Sequence, residues 1–365
     1  MSVRRPARAV ARRYVGVRTR AWPPNSRLFA VGERTRWSVD EDARHLEATA
    51  RRLRYDVAPS DWARFARHQS VFLTSHFEAL QPRWVESSHR LATAYLHGRP
   101  GTAGYPEFDR AFEALSASPS RFSAVQVTHA EMRDLVLEAG VEQSAVHVIP
   151  IGIDLEHFPL VDAERRTEAR TALDLPADAF VVGSFQKDGV GWGEGLEPKL
   201  VKGPDVLVAA VERAAGEMDA LHVLLTGPAR GYVRRELTRL GVPYRHVLAK
   251  DRTELARAYQ ALDAYVVASR QEGGPKGVLE SMASGVPLVT TRVGQAQEIA
   301  VDGENALVVD VDDVAAIADA VVRLRDDTLA RALAAAARRT AERYAYERLD
   351  PLWGSLLAPL VEHDG

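Results

Sequence analysis

The stretch from residue 264 to residue 291 constrains the fold more than any other part of the chain. It begins with an apolar, partly β-branched run at 264–268, which predicts a buried strand. Breakers at 273–275 precede a predicted helix over 277–284, with Gly285 just after its end and Pro287 barring continuation. A second strand is predicted over 287–291. This pattern indicates a βαβ unit, whose turn lies at the carboxyl edge of a parallel sheet, where open α/β sheets bind ligands.

Two glutamates flank the start of this predicted helix. Glu272 lies in the turn, and Glu280 lies eight residues later, inside the helix. The backbone N–H groups and the positive end of the helix dipole between them suit a phosphate or a diphosphate. The two carboxylates could then accept hydrogen bonds from hydroxyls on either side of the phosphates, as in a sugar joined through a diphosphate to a ribose. The alternative is a chance pair in a sequence rich in acidic residues.

The sequence from Ser269 to Pro287 closely resembles the signature of retaining nucleotide-sugar glycosyltransferases with the GT-B fold, specifically glycosyltransferase family four. That family carries two glutamates at this spacing, then a helix end of small residues and Gly-x-Pro. The resemblance implies that Glu272 lies against the donor sugar as a catalytic residue and that Glu280 holds the ribose hydroxyls. The donor-binding residues it implies in this stretch are Gly273, Gly274, Lys276, Gly277, Val278, Leu279 and Glu280.

This chain departs from the family pattern between the two glutamates. The family usually has Gly-aromatic-Gly-aliphatic-Pro after the first glutamate, whereas this chain has Gly-Gly-Pro-Lys-Gly at 273–277. Pro275 has no N–H group to donate to the donor. We hypothesise that Lys276 compensates as a point charge near the phosphates. The departure bears on the identity of the donor more than on donor binding.

The resemblance also implies the fold class and the domains. We expect an α/β protein of the GT-B type, with two Rossmann-like domains facing across a cleft. The segment from Val146 to Phe158 resembles the end of the family's N-terminal domain, which places the boundary near residue 155. The expected parts are a basic arm at 1–25, an acceptor-side domain at 26–155 and a nucleotide-sugar domain at 156–344. A C-terminal helix at about 345–365 should cross back onto the first domain, with Trp353 and Leu352 packing there.

His97 is the candidate catalytic residue of the first domain. It follows a strand predicted over 92–96 and precedes a glycine. This position matches the cleft histidine of the resembled family, which is thought to orient the donor sugar or to pass protons. A histidine is more often structural or exposed than catalytic, and that alternative stays open. His76 and His129 also lie near predicted strand ends and are weaker candidates.

Further donor-binding residues are expected at the start of the second domain. The family often has an arginine on the donor diphosphate where this chain has Ser184, and Lys187 could supply the missing charge. Lys202, before Gly203, matches the family lysine that binds the diphosphate. The glycine-rich insertion at 188–200 is either a mobile flap over the donor pocket or a plain loop.

No metal site is predicted. The run Asp-Val-Asp-Asp at 310–313 is similar to the metal-binding Asp-x-Asp of the other large glycosyltransferase fold, but its acids fit better as N-cap and first-turn residues of the following helix. The helix dipole and Lys202 can carry the charge of the leaving diphosphate. Neither a metal nor another cofactor is expected, and the nucleotide sugar is a co-substrate whose base the sequence does not disclose.

Composition sets outer limits on function and location. The chain has 365 residues and no cysteine, which excludes disulfides and cysteine-ligated metals. A formal net charge of -3 gives no support for a nucleic-acid partner. No signal peptide or membrane-spanning run is visible, so a cytoplasmic location is expected. Seven arginines and no acidic residue between Arg4 and Arg20 predict either peripheral contact with an anionic membrane or a solvated tail.

The resulting expectation is a metal-independent enzyme that transfers a sugar to an unknown acceptor hydroxyl with retention of anomeric configuration. Two alternatives stay open. A nucleotide-sugar 2-epimerase of the same fold class would act on the donor alone. A non-catalytic sugar-nucleotide binder would be stabilised by the donor without transferring or hydrolysing it.

Overall fold

The computed structural model describes residues 27–32 and 38–361, so the predicted basic arm at 1–25 lies outside the described residues. The chain forms two compact units. Among the described residues, the first comprises 27–32, 38–150 and 346–361, and the second comprises 151–345.

The first unit is built on a five-stranded parallel sheet in the order β1-β2-β3-β4-β5. The strands are β1 (Leu28–Val31), β2 (Ser70–Leu73), β3 (Arg90–Ala94), β4 (Phe122–Val127) and β5 (Val146–Val148). The helices before residue 150 in the described part are α1 (Ser38–Arg52), α2 (His76–Ala79), α3 (Pro82–Val85), α4 (Pro106–Ala117) and α5 (Ala130–Glu138).

Apolar side chains cover both faces of this sheet. Along β2, Val71 and Leu73 belong to one buried cluster, whereas Phe72 between them belongs to the other. Successive strand residues point to opposite faces, so a continuous apolar run is what a sheet covered on both sides requires.

The second unit contains a six-stranded parallel sheet in the order β11-β10-β9-β6-β7-β8. Its strands are β6 (Phe180–Ser184), β7 (Leu221–Thr226), β8 (Tyr244–Val247), β9 (Ala264–Val267), β10 (Leu288–Thr291) and β11 (Leu307–Val309). Its helices are α6 (Ala163–Ala172), α7 (Pro204–Ala215), α8 (Gly231–Leu240), α9 (Arg252–Gln260), α10 (Lys276–Ser284), α11 (Ala296–Ile299), α12 (Val314–Arg323) and α13 (Asp327–Arg343).

The strand order of this second sheet fixes where a ligand can bind. The chain moves from β6 outward through β7 and β8, then returns to place β9 on the other side of β6. The loops that follow β6 and β9 therefore leave in opposite directions and open a crevice between them. Doubly wound sheets bind ligands outside the carboxyl ends of the strands at this reversal.

The βαβ unit predicted from the sequence is confirmed. The structure has strand β9, helix α10 and strand β10 within a residue or two of the predicted bounds, and β9 pairs in parallel with β10. Gly285 follows the helix in the left-handed conformation, with a φ of 70°.

The last helix, α14 (Asp350–Val361), belongs to the first unit, so the chain returns there after completing the second. Leu356, Leu357 and Leu360 are fully buried against the first sheet, and the Trp353 ring packs edge-on at 5.6 Å from Phe72. The predicted packing of Leu352 is wrong, because that side chain is 41% exposed. Leu352 lies on the exposed helix stripe that includes residues 355 and 359, about 100° from the centre of the buried face.

Candidate functional site

The predicted donor-site residues after residue 180 converge on the carboxyl edge of the second sheet. Ser184 ends β6, Glu272 lies in the loop that follows β9, and Lys276 begins α10. The structure therefore brings these residues to the point where the strand order reverses. His97 belongs to the first unit and is described separately below.

Three donors hold the carboxylate of Glu272. Its Oε2 accepts from Lys202 Nζ at 2.5 Å. Its Oε1 accepts from Ser269 Oγ at 2.8 Å and from Gln186 Nε2 at 2.9 Å. Glu272 is only 9% exposed, so this carboxylate is a buried, oriented group and not a solvated surface charge.

A tight turn brings Lys202 to this carboxylate. Lys202 ends a short 3-10 helix, and Gly203 follows it with a φ of 60° before α7 begins. A β-carbon at Gly203 would lie 1.9 Å from the carbonyl oxygen of Ala268, the residue just after β9. Glycine at this position therefore satisfies both the left-handed backbone and the close passage of two chain segments.

Glu280 is held by a neutral donor. It lies in the middle of α10, is 8% exposed, and its Oε2 accepts from Tyr259 Oη at 2.8 Å. Burial, reinforced by the nearby negative charge of Glu280, raises the pKa of Tyr259 well above its usual value. Tyr259 is therefore a protonated donor throughout the neutral pH range.

The loop and first turn between the two glutamates are fixed by close packing. The Gly273 carbonyl accepts from the N–H of Gln295 at 2.8 Å. A β-carbon at Gly274 would lie 2.6 Å from Ile151 Cδ1, and one at Gly277 would lie 2.2 Å from Tyr265 Oη. Among the described residues no side chain caps α10, so its positive dipole end faces this loop. Val278 and Leu279 are buried in the first turns, where they anchor the helix.

Ser184 is backed by an arginine that sequence reasoning missed. The Ser184 carbonyl accepts from Arg230 Nη1 at 2.5 Å, and Arg230 Nε lies 2.9 Å from a carboxylate oxygen of Asp188. Arg230 and Asp188 are almost completely buried. Burial raises the pKa of Asp188, and Arg230 opposes that shift. The Arg230 guanidinium is therefore bonded to the end of β6, and the Asp188 carboxylate balances its charge.

Lys187 is held at the start of the insertion. Its Nζ donates to the Gly189 carbonyl at 3.1 Å and lies 4.8 Å from the centre of the Trp192 ring. Partial burial lowers the pKa of Lys187, Asp188 opposes this, and Lys202 adds to it. Both lysines predicted for the diphosphate thus lie close enough to influence each other.

The glycine-rich insertion is tied down by backbone hydrogen bonds. Val190 donates to Glu197 and Lys199 donates to Asp188, which closes the insertion on itself. The N–H groups of residues 231 and 232, at the start of α8, donate to the carbonyls of residues 194 and 195. These contacts favour the packed-loop interpretation over the flap.

In the first unit, His97 follows β3 and is half-buried within an aromatic group. Its ring centre lies 5.8 Å from that of His76 and 5.7 Å from that of Phe108. Burial lowers the pKa of His76 far below its usual value, helped by repulsion from His97. Burial, with Arg99 nearby, lowers the pKa of His129 to about 4. His76 and His129 are thus neutral, buried histidines at the carboxyl edge of the first sheet.

Of the acids at 310–313, Asp313 is the N-cap residue that the sequence predicted, but the prediction of first-turn residues is wrong, because the helix begins only at Val314. Asp313 caps α12 by accepting from the N–H of Ala316 at 2.9 Å. Asp312 pairs with Arg270 at 2.7 Å. Across residues 27–32 and 38–361, no group of three or more histidine, cysteine or acidic side chains has an arrangement that could hold a metal ion. Nor is any helix in that part of the chain both long and apolar enough to cross a bilayer.

Comparison of the sequence with known proteins identifies a family. The family model "Glycosyl transferases group 1" matches residues 193–327. The D-inositol 3-phosphate glycosyltransferase 1 of Catenulispora acidiphila is 31% identical over 306 residues, which cover 77% of this chain and 67% of that protein. The chain belongs to the group 1 glycosyltransferases.

Another relative within this family is the D-inositol 3-phosphate glycosyltransferase of Xylanimonas cellulosilytica, 35% identical over 236 residues, or 61% of this chain and 53% of that protein. The chain thus spans between about half and two thirds of the length of these curated relatives. Lys202, Glu272 and Glu280 lie inside the part matched by the family model, whereas Ser184, Lys187 and His97 lie outside it.

Solved structures with a similar fold match both units of this glycosyltransferase. The crystal structure of HepE from Anabaena in complex with UDP-glucose has a TM-score of 0.73 and 16% identity, covering 91% of this chain and 99% of that one. The fold class predicted from the sequence, two Rossmann-like domains of the GT-B type, is confirmed.

Proposed function

We propose that this chain transfers a sugar from a nucleoside-diphosphate donor to an acceptor hydroxyl. The observation that carries the proposal is the convergence of Lys202, Glu272 and Glu280 at the carboxyl edge of the second sheet, around the start of α10. One buried carboxylate paired with a cation before a helix N-terminus, and a second buried carboxylate inside that helix, suit a ligand with hydroxyls on both sides of a diphosphate.

In this proposal the diphosphate lies by the N-terminus of α10 and Lys202. The ribose hydroxyls donate to Glu280, and the transferred sugar lies against Glu272. Lys187 and Lys276 add positive charge near the phosphates. The closely packed residues Ser184, Gly273, Gly274, Gly277, Val278 and Leu279 shape the wall of the donor site.

The proposed reaction breaks the bond between the anomeric carbon and the diphosphate oxygen. A bond from the acceptor oxygen forms on the same face, and the acceptor proton passes to the leaving phosphate. Lys202 and the α10 dipole stabilise the charge that develops on the leaving group. Because the acceptor attacks on the face from which the diphosphate leaves, the proposal predicts retention of configuration without an enzymic nucleophile. His97 is proposed as a catalytic residue that orients the sugar or passes a proton.

The relatives suggest the first substrates to test. HepE was solved with UDP-glucose, and two relatives are named for D-inositol 3-phosphate. We therefore propose a UDP-sugar as the donor to try first and D-inositol 3-phosphate as the first acceptor probe.

The proposal is tested by measuring thermal stabilisation of the full chain with UDP-glucose, UDP-N-acetylglucosamine and GDP-mannose. Each stabilising donor is then incubated with and without acceptors, and NMR of the products reports transfer and anomeric configuration. We expect acceptor-dependent transfer with retention. Donor isomerisation without acceptor would instead identify a 2-epimerase. Stabilisation with neither transfer nor hydrolysis would identify a binder, and no stabilisation by any donor would contradict the proposal.

A further inference from the structure

We infer that Tyr259 is a positioning residue that orients Glu280 toward the ribose, and that it thereby sets the preference of the donor site for ribonucleotides over deoxyribonucleotides. The inference rests on the proposed function, since it concerns a residue behind the proposed ribose-binding carboxylate. The experiment below distinguishes a failure of this inference from a failure of the proposed function.

The contact is short and buried. Tyr259 Oη donates to Glu280 Oε2 at 2.8 Å, the Tyr259 side chain is 0% exposed, and Glu280 is 8% exposed. A hydrogen bond to an ionised acceptor, shielded from water in this way, is among the stronger ones in a protein. It ties one carboxylate oxygen to a fixed point.

The phenol itself has little freedom to move. Its ring packs edge-on against Phe185 at 4.7 Å and against Phe158 at 5.8 Å, and lies 5.1 Å from the Tyr265 ring. Tyr265 in turn accepts at its hydroxyl from the N–H of Phe185 at 3.3 Å, just beyond β6. The hydroxyl that holds Glu280 is therefore carried by a ring of α9 that packs against Tyr265 in β9, Phe185 just after β6 and Phe158.

A phenol orients a carboxylate without cancelling its charge. Glu272 is paired with a cation, whereas Tyr259 offers Glu280 a neutral donor that stays protonated at neutral pH. A carboxylate has about four lone-pair sites, so one bond from Tyr259 is compatible with two more from a vicinal diol. The geometry thus suits an ionised, oriented acceptor for the 2′ and 3′ hydroxyls of a ribose.

The consequence is specific to the ribose. Without the phenolic hydroxyl, Glu280 gains rotational freedom, and the bonds from the diol weaken. A 2′-deoxyribonucleotide makes fewer of those bonds, so its affinity should change less. A residue with only a structural role would instead lower the affinity for both nucleotides by the same factor.

The experiment is calorimetric titration of the full chain with UDP, GDP and ADP and with the 2′-deoxy form of whichever binds best. The proteins are the wild type, Tyr259→Phe and a matched control, Tyr244→Phe, whose hydroxyl lies 3.3 Å from Thr238 Oγ1. We expect the wild type and the control to prefer the ribonucleotide by about tenfold, a factor typical of one good hydrogen bond. In Tyr259→Phe the preference should fall to about threefold or less, with the deoxynucleotide affinity unchanged within about a factor of two.

An unchanged preference in Tyr259→Phe, or equal losses for both nucleotides, would overturn the inference while leaving the proposed function intact. Failure of every nucleotide to bind the wild type would overturn both. Glu280→Gln and the double variant Tyr259→Phe/Glu280→Gln give a second measurement. If Tyr259 acts through Glu280, the tyrosine substitution should have no further effect on the preference in the Glu280→Gln background, and an additive effect would count against the inference.

Discussion

At the scale of single residues, the two carboxylates of the proposed donor site are held in different ways. Glu272 is tied to the cation Lys202, and Glu280 receives a bond from the neutral hydroxyl of Tyr259. In the proposed function, Lys202 also serves the diphosphate. The donor and Glu272 therefore compete for the same ammonium group, and the two glutamates should respond differently to substitution.

Glu272→Gln should lower turnover by on the order of 100-fold, the loss typical of one electrostatic contact to a transition state. The affinity for UDP without a sugar should be unchanged or tighter, because the substitution releases Lys202 from its ion pair. Steady-state kinetics and calorimetry on the same protein measure both quantities. Glu280→Gln should show the reverse pattern, with weakened UDP binding, and the exposed Glu304→Gln is a neutral control. A parallel loss of UDP affinity in Glu272→Gln would argue against this competition.

Several partners of Glu272, Glu280 and Ser184 could not be found from the sequence. Gln186 reaches Glu272 from 86 positions away, Tyr259 reaches Glu280 from 21, and Arg230 reaches Ser184 from 46. Glutamine, tyrosine and arginine carry no spacing signal of their own. The contacts of Gln186 and Arg230 depend on the adjacency of β9, β6 and β7 in the sheet, and that of Tyr259 depends on the packing of α9 against α10. The two glutamates were found from their spacing around a predicted helix start, and the resemblance to the family implied their roles and that of Lys202.

At the scale of elements, the site depends on turns that pass close to strand ends. The closest approach is at Gly203, just before α7 begins, where the backbone passes against the carbonyl of Ala268 after β9. The sequence showed a Lys-Gly pair before a helix, but the contact with Ala268 depends on the pairing of β6 with β9, which no local pattern specifies.

Gly203→Ala should lower the free energy of unfolding by about 2 kcal/mol or more, because it adds a clash to an unfavourable backbone conformation. It should also weaken donor binding, because Lys202 shifts with the turn. Urea unfolding and calorimetry measure these effects. Gly193→Ala is the matched control, since a β-carbon there meets no atom within 4 Å. Equal stability of the two variants would mean that the turn relaxes without strain.

At the scale of the whole molecule, the chain builds two parallel sheets and then returns to the first with α14. Apolar runs bounded by breakers predicted most strands of both sheets, whereas the fold class and the returning helix were implied by the resemblance to the GT-B family. What neither predicted was the face that α14 presents to the sheet. The helix is apolar on more than one side, so Leu352 and its buried neighbours carry the same sequence signal.

This difference gives a matched pair of substitutions in one helix. Leu357→Ala should destabilise the protein by about 3 kcal/mol, because it removes a fully buried side chain from the first unit. Leu352→Ala should change stability by no more than about 0.5 kcal/mol, because that side chain is 41% exposed. Urea unfolding followed by circular dichroism compares them. Similar losses in both variants would contradict the packing described for α14.

The central claim is that the carboxyl edge of the second sheet binds a sugar nucleotide through Lys202, Glu272 and Glu280. The most direct test is a crystal structure of the full chain with the nucleoside-diphosphate sugar that stabilises it best. The account predicts the diphosphate at the start of α10 within hydrogen-bonding distance of Lys202, the ribose hydroxyls on Glu280 and the sugar against Glu272. A nucleotide bound elsewhere, or bound in this site with its ribose turned away from Glu280, would contradict it.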